Sequence, residues 1–147
     1  MTPLTEQQQS WLEDLVIKGQ TATKTKIAND LITIELVSLT GTTQLAAEND
    51  MGSIAGSSVY VLHTYAIYLL AQALKSVEIK GVITNFTKVD EAKKFILERP
   101  AVIIDGMINA QTKFEKDLKQ LITPEIVSQN FTQTPGTVEE SNSTSKA

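Results

Sequence analysis

Histidine and carboxylate side chains are the groups through which this chain could do acid–base chemistry, and few of them are well placed. The one histidine, His63, has Val59 and Ile67 at helical spacing and no carboxylate there to orient it as a base. We therefore interpret His63 as a structural residue. Asp105 is flanked by Ile104 and other apolar residues, so we expect it to be partly buried, and it is the carboxylate to test first for a catalytic role.

Motifs for covalent catalysis, phosphate binding and metal binding are missing from the sequence. A serine nucleophile needs a base and a third orienting group, and no Gly-x-Ser-x-Gly motif occurs. The stretch Gly52-Ser53-Ile54-Ala55-Gly56-Ser57 lacks the lysine of a phosphate-binding loop. The chain has no cysteine, which excludes thiol catalysis and the usual zinc ligand sets. We expect a protein that is not an enzyme and holds no cofactor or metal.

The net charge and the hydropathy of the chain argue against two classes of partner, nucleic acids and membranes. The net charge is −4, whereas binding to the phosphates of a nucleic acid needs clustered lysine and arginine. The densest positive stretch, from Lys18 to Lys26, is interpreted as a solvated loop. No apolar run reaches the roughly 18 residues of a membrane span, and the first residues do not have the pattern of a signal peptide. We expect a soluble protein that binds neither nucleic acid nor membrane.

The hydrophobic pattern predicts mostly helices, because apolar residues recur at three- and four-residue spacing. The two long helices in this interpretation run from about Ser58 to Gly81 and from Ala101 to Ile122. Shorter helices are predicted at residues 3–18, 42–49, 88–98 and 124–130. The polar, threonine-rich residues 20–26 are interpreted as a loop.

One segment has the alternation of a half-buried strand. Ile32, Ile34 and Leu36 alternate with more polar positions between Leu31 and Val37. A lone strand leaves its backbone groups unpaired, so it needs a second segment. The best partner within the chain is the segment at residues 80–84, and the alternative is a strand of another chain.

Together these elements predict a mainly α (α+β) fold. It is a small helical domain with two long amphipathic helices, a short β element and a disordered C-terminal tail. The domain covers residues 1–131. Residues 132–147 are polar and rich in serine and threonine, and such a segment cannot bury enough apolar area to offset the entropy of ordering it.

Two elements of this prediction leave surface that another protein could cover. One is the strand, which keeps an unpaired edge, and the other is the first long helix, which is apolar on more than one face. We therefore predict that another protein binds here. The predicted partner-binding residues are Ile32, Ile34, Leu36, Tyr60, Ile67 and Tyr68.

The order of short motifs between Leu31 and Leu121 provides a family resemblance. An extended segment leads into Ser38-Leu39-Thr40-Gly41, and a long helix then ends in Leu74-Lys75-Ser76-Val77-Glu78-Ile79-Lys80-Gly81. A charged segment (residues 90–97) and an amphipathic helix follow. This order resembles that of the small tail or baseplate-hub assembly chaperones of long-tailed bacteriophages. In that group a strand precedes an "SLTG"-type turn, and a helix ends in a small-Ser-Ile/Val-acid-x-Gly motif. Residues 50–58 depart from the pattern.

The resemblance implies a non-enzymatic protein that acts by binding other phage tail or virion proteins in the host cytoplasm during assembly. Two alternatives stay open. One is a structural subunit of the mature virion (tail, neck or baseplate), and the other is a small cellular adaptor module. Self-association into a homo-oligomer is a further expectation. The resemblance assigns no catalytic, cofactor-binding or metal-binding residue.

Overall fold

A computed structural model of the 147-residue chain describes residues 3–52 and 58–122. The described residues form α1 (Glu6–Lys18), β1 (Ala22–Ile27), β2 (Ile32–Val37), α2 (Gly41–Met51), α3 (Ser58–Ala73), β3 (Leu74–Ile79), β4 (Val82–Asn85), α4 (Val89–Leu97) and α5 (Ala101–Ile122). The chain divides into two units after Glu115, and of the second unit the described part is residues 116–122, the last turns of α5.

The four strands form one antiparallel sheet in the order β1-β2-β3-β4. Residues 28–31 connect β1 to β2, and the two residues Lys80 and Gly81 connect β3 to β4. Both turn residues have positive φ, 52° and 80°, as the tight hairpin turn that matches strand twist requires. The helices α2 and α3 lie between β2 and β3 in the chain, so the element order of the sheet region is β-β-α-α-β-β.

The prediction of a mainly α fold with a short β element is wrong. The described residues contain a four-stranded sheet, and two of its strands lie where other structure was predicted. The strand β1 occupies part of the predicted loop at residues 20–26, and β3 occupies the predicted C-terminal part of the first long helix. The pair of long helices is not found either, because α3 ends at Ala73 after 16 residues. The predicted helix at residues 124–130 and the disordered tail at 132–147 lie outside the described residues.

A β-bulge explains why β3 looked helical in the sequence. Leu36 pairs with Leu74, but Glu35 pairs with Ser76, so β3 holds one extra residue, Lys75, against β2. Leu74 and Val77 are both 2% exposed, although a regular strand places residues three apart on opposite faces. Two buried residues that are three positions apart are typical of a helix, and the bulge produces the same spacing in a strand.

The predicted strand at Leu31–Val37 is present as β2, but its pairing differs from the prediction. β2 is a central strand, with β1 on one edge and β3 on the other. The expected partner segment, residues 80–84, instead forms the β3–β4 turn and the first part of β4, which pairs with β3. The strand edges that were predicted to need another chain are therefore satisfied within this one.

The core lies between one face of the sheet and the helices. Ile34 and Leu36 of β2 are 0% exposed, and α5 passes close to β1, because a Cβ added at Gly106 would lie 3.9 Å from Ile27 Cδ1. The buried apolar residues of the helices up to α5 residue 114 are Ala47, Ile67, Leu70, Ala71, Ala73, Ala92, Ile96, Ile104, Met107 and Phe114. This burial is the main favourable term that holds the two layers together.

Helix ends follow local capping chemistry. Thr5, rather than Thr2, is the N-cap of α1: its hydroxyl accepts from the Gln8 N–H, and the Gln8 side chain accepts from the Thr5 N–H. Gly19 ends this helix in the left-handed conformation, with φ of 77°. α2 begins with the same reciprocal arrangement between Thr40 and Thr43. These bonds satisfy backbone N–H groups that a first helical turn leaves unpaired.

Candidate functional site

The face of the sheet opposite the core carries polar side chains from all four strands. We call it the outer face, and it consists of Lys24, Lys26, Thr33, Glu35, Ser76, Glu78, Ile83 and Asn85. All but Lys26 line one open depression, and every residue that lines it belongs to the sheet. No helix of the described part contributes to this surface.

The strand register sets the order of side chains on the outer face. One row runs from Lys24 through Glu35 and Ser76 to Asn85, and each neighbour in it is a paired residue of adjacent strands. The parallel row runs Lys26, Thr33, Glu78 and Ile83. Residues in such a row share one face of the sheet, at about 4.8 Å between strands.

Charge is unevenly distributed over the outer face. The lysines, Lys24 and Lys26, are on β1, whereas the carboxylates, Glu35 and Glu78, are on β2 and β3. The Ser76 hydroxyl donates to Glu35 Oε1 at 3.1 Å, and Glu35 pairs across the strands with Lys24. The surface therefore offers ammonium, carboxylate and amide groups at fixed spacing, which suits hydrogen bonding and ion pairing with a polar partner surface.

Three of the predicted partner-binding residues lie in the interior. Ile34 and Leu36 are 0% exposed, and Ile67 is 7% exposed. Ile32 is half-buried and pairs with Ile27 on one side and Ile79 on the other. Side chains in these positions stabilise the fold and leave almost no area for another protein while the fold persists.

Of the two predicted tyrosines, Tyr68 has a described side chain. Tyr68 is half-buried, and the Lys93 ammonium of α4 lies 4.7 Å from the centre of its ring, so it takes part in α3–α4 packing. Lys93 also lies 3.7 Å from Asp50 of α2, which joins a third helix to the same contact. The side chain of Tyr60 lies outside the described part of the chain.

Neither candidate for acid–base chemistry is buried. His63 on α3 is exposed, and Asp105 on α5 is exposed as well, contrary to the expectation of partial burial. Asp105 falls on the solvent side of α5, whereas Ile104 and Met107 on either side of it point inward. Residues 3–52 and 58–122 contain no group of three or more histidine, aspartate or glutamate residues that could hold a metal ion. No helix among them is long and apolar enough to cross a membrane.

The Ser38-Leu39-Thr40-Gly41 turn has a structural role in this chain. Ser38 and Thr21 exchange two hydrogen bonds, from Thr21 N–H to the Ser38 hydroxyl (2.9 Å) and from Ser38 N–H to the Thr21 carbonyl (2.8 Å). Leu39 N–H donates to Glu115 Oε2, and Thr40 caps α2. The turn thus fixes the passage from the sheet into α2.

The other motif of the family resemblance has a different structure from the one implied. Leu74 to Gly81 forms β3 and its turn, where the resemblance implies the end of a helix. No family model, curated protein or solved structure matches this chain. The resemblance to phage assembly chaperones therefore stays a prediction.

Sequence reasoning missed the outer-face residues, and one signal could have found them. Residues 23–26 alternate threonine and lysine, and Ile27 follows them. Threonine is β-branched and favours strands, and alternation with lysine is typical of a strand with one wet face. Had β1 been recognised, β2 would have had a partner, and the position of Glu35 opposite Lys24 would have followed from a hairpin register.

Proposed function

We propose that this protein is a non-enzymatic binding protein that recognises another protein through the outer face of its sheet. The observation that carries this proposal is the polar row Lys24–Glu35–Ser76–Asn85, which crosses all four strands opposite the core. Strands hold these side chains at fixed positions, so binding would cost less ordering entropy than binding by a mobile loop.

The size of the face favours a transient association. Four strands about 4.8 Å apart and six residues of about 3.3 Å each span roughly 400 Å². A stable interface buries about 800 Å² per partner. The outer face alone supplies about half of that area, which is typical of a protein that binds its partner and later releases it.

Within this class, the sequence resemblance supplies the specific hypothesis, which is assembly of a phage tail or baseplate through binding of another tail protein. A transient association agrees better with an assembly chaperone than with a permanent subunit of the virion. Mass spectrometry of purified particles separates the two, because a chaperone is absent from the mature particle and a subunit is present in fixed copy number. A cellular adaptor would instead retain its partners in uninfected cells.

The binding surface itself is tested with matched variants of the full chain. Lys24→Glu reverses an exposed charge on the outer face, and Lys94→Glu makes the same change on α4, away from the sheet. We expect proteins that co-purify with the wild type to be lost with Lys24→Glu and kept with Lys94→Glu, while circular dichroism shows both variants folded. Equal capture by all three proteins would contradict the proposed surface.

A further inference from the structure

Within residues 3–52 and 58–122, no strand pairs with the outer edge of β4, and both faces of this strand are exposed. All four of its residues are exposed, including Val82 (69%) and Ile83 (57%). Val82 pairs with Ile79 and so lies on the helical side of the sheet, yet it stays exposed. The helical layer therefore does not cover this strand.

The two edges of the sheet differ in how they discourage pairing with another chain. The other edge strand, β1, carries Lys24 and Lys26, and lysine on an edge strand opposes such pairing. The sequence of β4, Val-Ile-Thr-Asn, contains no charge and no proline. In the part of the chain that the structure describes, short length is the protection against edge pairing that β4 has.

Hydrogen-bonded and non-hydrogen-bonded pairs alternate between β3 and β4, and this alternation shows which backbone groups of β4 face outward. Val82 and Thr84 pair with Ile79 and Val77, and the Phe86 N–H donates to the Lys75 carbonyl at 2.9 Å, which continues the same series of bonded pairs. Residues between bonded pairs direct their N–H and C=O away from the neighbouring strand. The outward groups of β4 are thus those of Ile83 and Asn85, which no strand of the described chain pairs.

We propose that β4 pairs with β4 of a second copy of this chain, in antiparallel orientation, so that two sheets join into one. With Ile83 of each copy opposite Asn85 of the other, both outward residues form bonded pairs. The same register places Val82 opposite Phe86 of the second copy and Thr84 opposite its own equivalent. The exposed Val82 then gains an apolar neighbour, which is why this register suits a second copy.

Charges of both signs lie at the two ends of β4, and they do not select the partner. Lys80 stands at the start of β4, and the acidic first turn of α4, with Asp90 (side chain 89% exposed) and Glu91, follows its end. In this register each Lys80 lies opposite Lys88 of the other copy, and Asp90 lies two residues further on. The repulsion between the two lysines opposes the attraction to Asp90 and Glu91, so backbone bonds and apolar contact carry the association.

The association is tested by sedimentation velocity of the full chain over about 1 μM to 1 mM, the range in which a small interface associates. Ile83→Pro removes an outward N–H without touching the bonds to β3, and proline is tolerated at such an edge position. We expect a concentration-dependent dimer in the wild type, and at least a tenfold weaker one in Ile83→Pro. The control Ile83→Val, which keeps the N–H and the branched side chain, should retain dimerisation.

Hydrogen exchange and a second variant complete the test. The Ile83 and Asn85 amides should gain protection as the protein concentration rises. If Ile83→Pro does not fold, Ile83→Lys blocks the edge with a charge and keeps the backbone intact. A wild type that stays monomeric to about 1 mM, or a dimer unaffected by these variants, would overturn the proposal. Protection of the two amides only by a different protein would also overturn it and would identify that protein as the occupant.

Discussion

The side-chain carboxylate of Glu115 on α5 accepts a hydrogen bond from the backbone N–H of Leu39, with 2.9 Å between the Glu115 Oε2 and Leu39 N atoms. The bond fastens α5 to the turn between β2 and α2, across 76 positions of the chain. Burial raises the pKa of Glu115 above its ordinary value of 4.5, and the bond from Leu39 offsets part of that increase. The ionised carboxylate is therefore held in a place that favours its neutral form.

We expect Glu115→Gln to be more stable than the wild type at neutral pH. The pKa of Glu115 is higher in the folded chain, so the folded state keeps this proton to a higher pH than the unfolded state. The contribution of Glu115 to the free energy of unfolding is therefore full below pH 4.5 and decreases as pH rises through the folded pKa. Glutamine removes that loss, and its carbonyl oxygen still accepts from Leu39.

Urea unfolding of both proteins at several pH values between about 4 and 7 checks this expectation. The stability advantage of Glu115→Gln should increase with pH over that range. Asp105→Asn is the control, because it removes an exposed carboxylate from the same helix. A Gln variant that is less stable than the wild type at pH 7 would show that Glu115 is stabilising in its ionised form.

Thr40 is the N-cap of α2, and its replacement should lower the free energy of unfolding even though the side chain is small. The Thr40 hydroxyl accepts from Thr43 N–H at 3.2 Å, and the Thr43 hydroxyl accepts from Thr40 N–H at 2.8 Å. Loss of an N-cap costs about 1 kcal/mol in the free energy of unfolding. We expect this loss for Thr40→Ala, measured by chemical denaturation. Thr42→Ala, at an exposed position two residues later, should change stability by less than about 0.5 kcal/mol.

Substitution of Leu36 tests whether this residue stabilises the core, as its burial indicates, or serves to bind a partner. It is 0% exposed, so Leu36→Ala should leave a cavity and cost about 2–5 kcal/mol in the free energy of unfolding. Thr33→Ala, on the outer face of the same strand, should cost less than about 1 kcal/mol. Thermal unfolding of both variants gives the comparison. Equal and small losses would mean that Leu36 is not in the core.

The elements that the sequence predicted well are those whose pattern has one explanation. The alternation at Ile32, Ile34 and Leu36 belongs to a strand, and the range Ala101–Ile122 agrees with the bounds of α5. Prediction failed where one pattern fits two structures. Leu74 and Val77 share a face through a bulge, which a sequence without its pairing partners cannot reveal.

The candidate site was harder to predict than the fold, because it depends on pairing between distant segments. Glu35 and Ser76 are 41 positions apart, and only the β2–β3 register brings the serine hydroxyl to the carboxylate. The predicted binding residues were chosen because they are apolar, and that property placed Ile34 and Ile67 in the core instead. A surface made of lysine, glutamate and serine has no pattern that distinguishes it from any solvated face.

The β3–β4 turn should respond to substitutions in opposite directions. Lys80 has φ of 52°, which costs a residue other than glycine or asparagine about 1 kcal/mol. We therefore expect Lys80→Asn to raise the melting temperature, since Asn-Gly is the preferred sequence for this turn. Gly81→Ala should lower it by a similar free energy. A Cβ at Gly81 would meet no atom within 4 Å, so its φ of 80° is the whole cause. A lower melting temperature for Lys80→Asn, or a higher one for Gly81→Ala, would contradict a hairpin here.

Trp11 should control the attachment of α1 to the rest of the first unit. α1 has no buried residue, but the Trp11 ring meets the Phe114 ring of α5 edge to face, with 5.3 Å between ring centres. A hydrogen bond from the Thr21 hydroxyl to the Asp14 carboxylate, at 3.2 Å, joins the later part of the helix to the start of the sheet. An aromatic pair of this kind contributes about 0.5–1.5 kcal/mol beyond its buried area. A helix without a fully buried side chain should open locally before the sheet unfolds.

We therefore expect Trp11→Ala to release α1 while the sheet stays folded. Hydrogen exchange should show lost protection across Glu6–Lys18 and unchanged protection in β2 and β3. In the wild type the single tryptophan reports the same opening, because its fluorescence should change at a lower urea concentration than the circular dichroism signal. Val16→Ala, at an exposed site on the same helix, is the matched control and should leave exchange unchanged. Coincident transitions of the two signals would mean that α1 unfolds only with the whole unit, and that contacts other than the Trp11–Phe114 pair hold it.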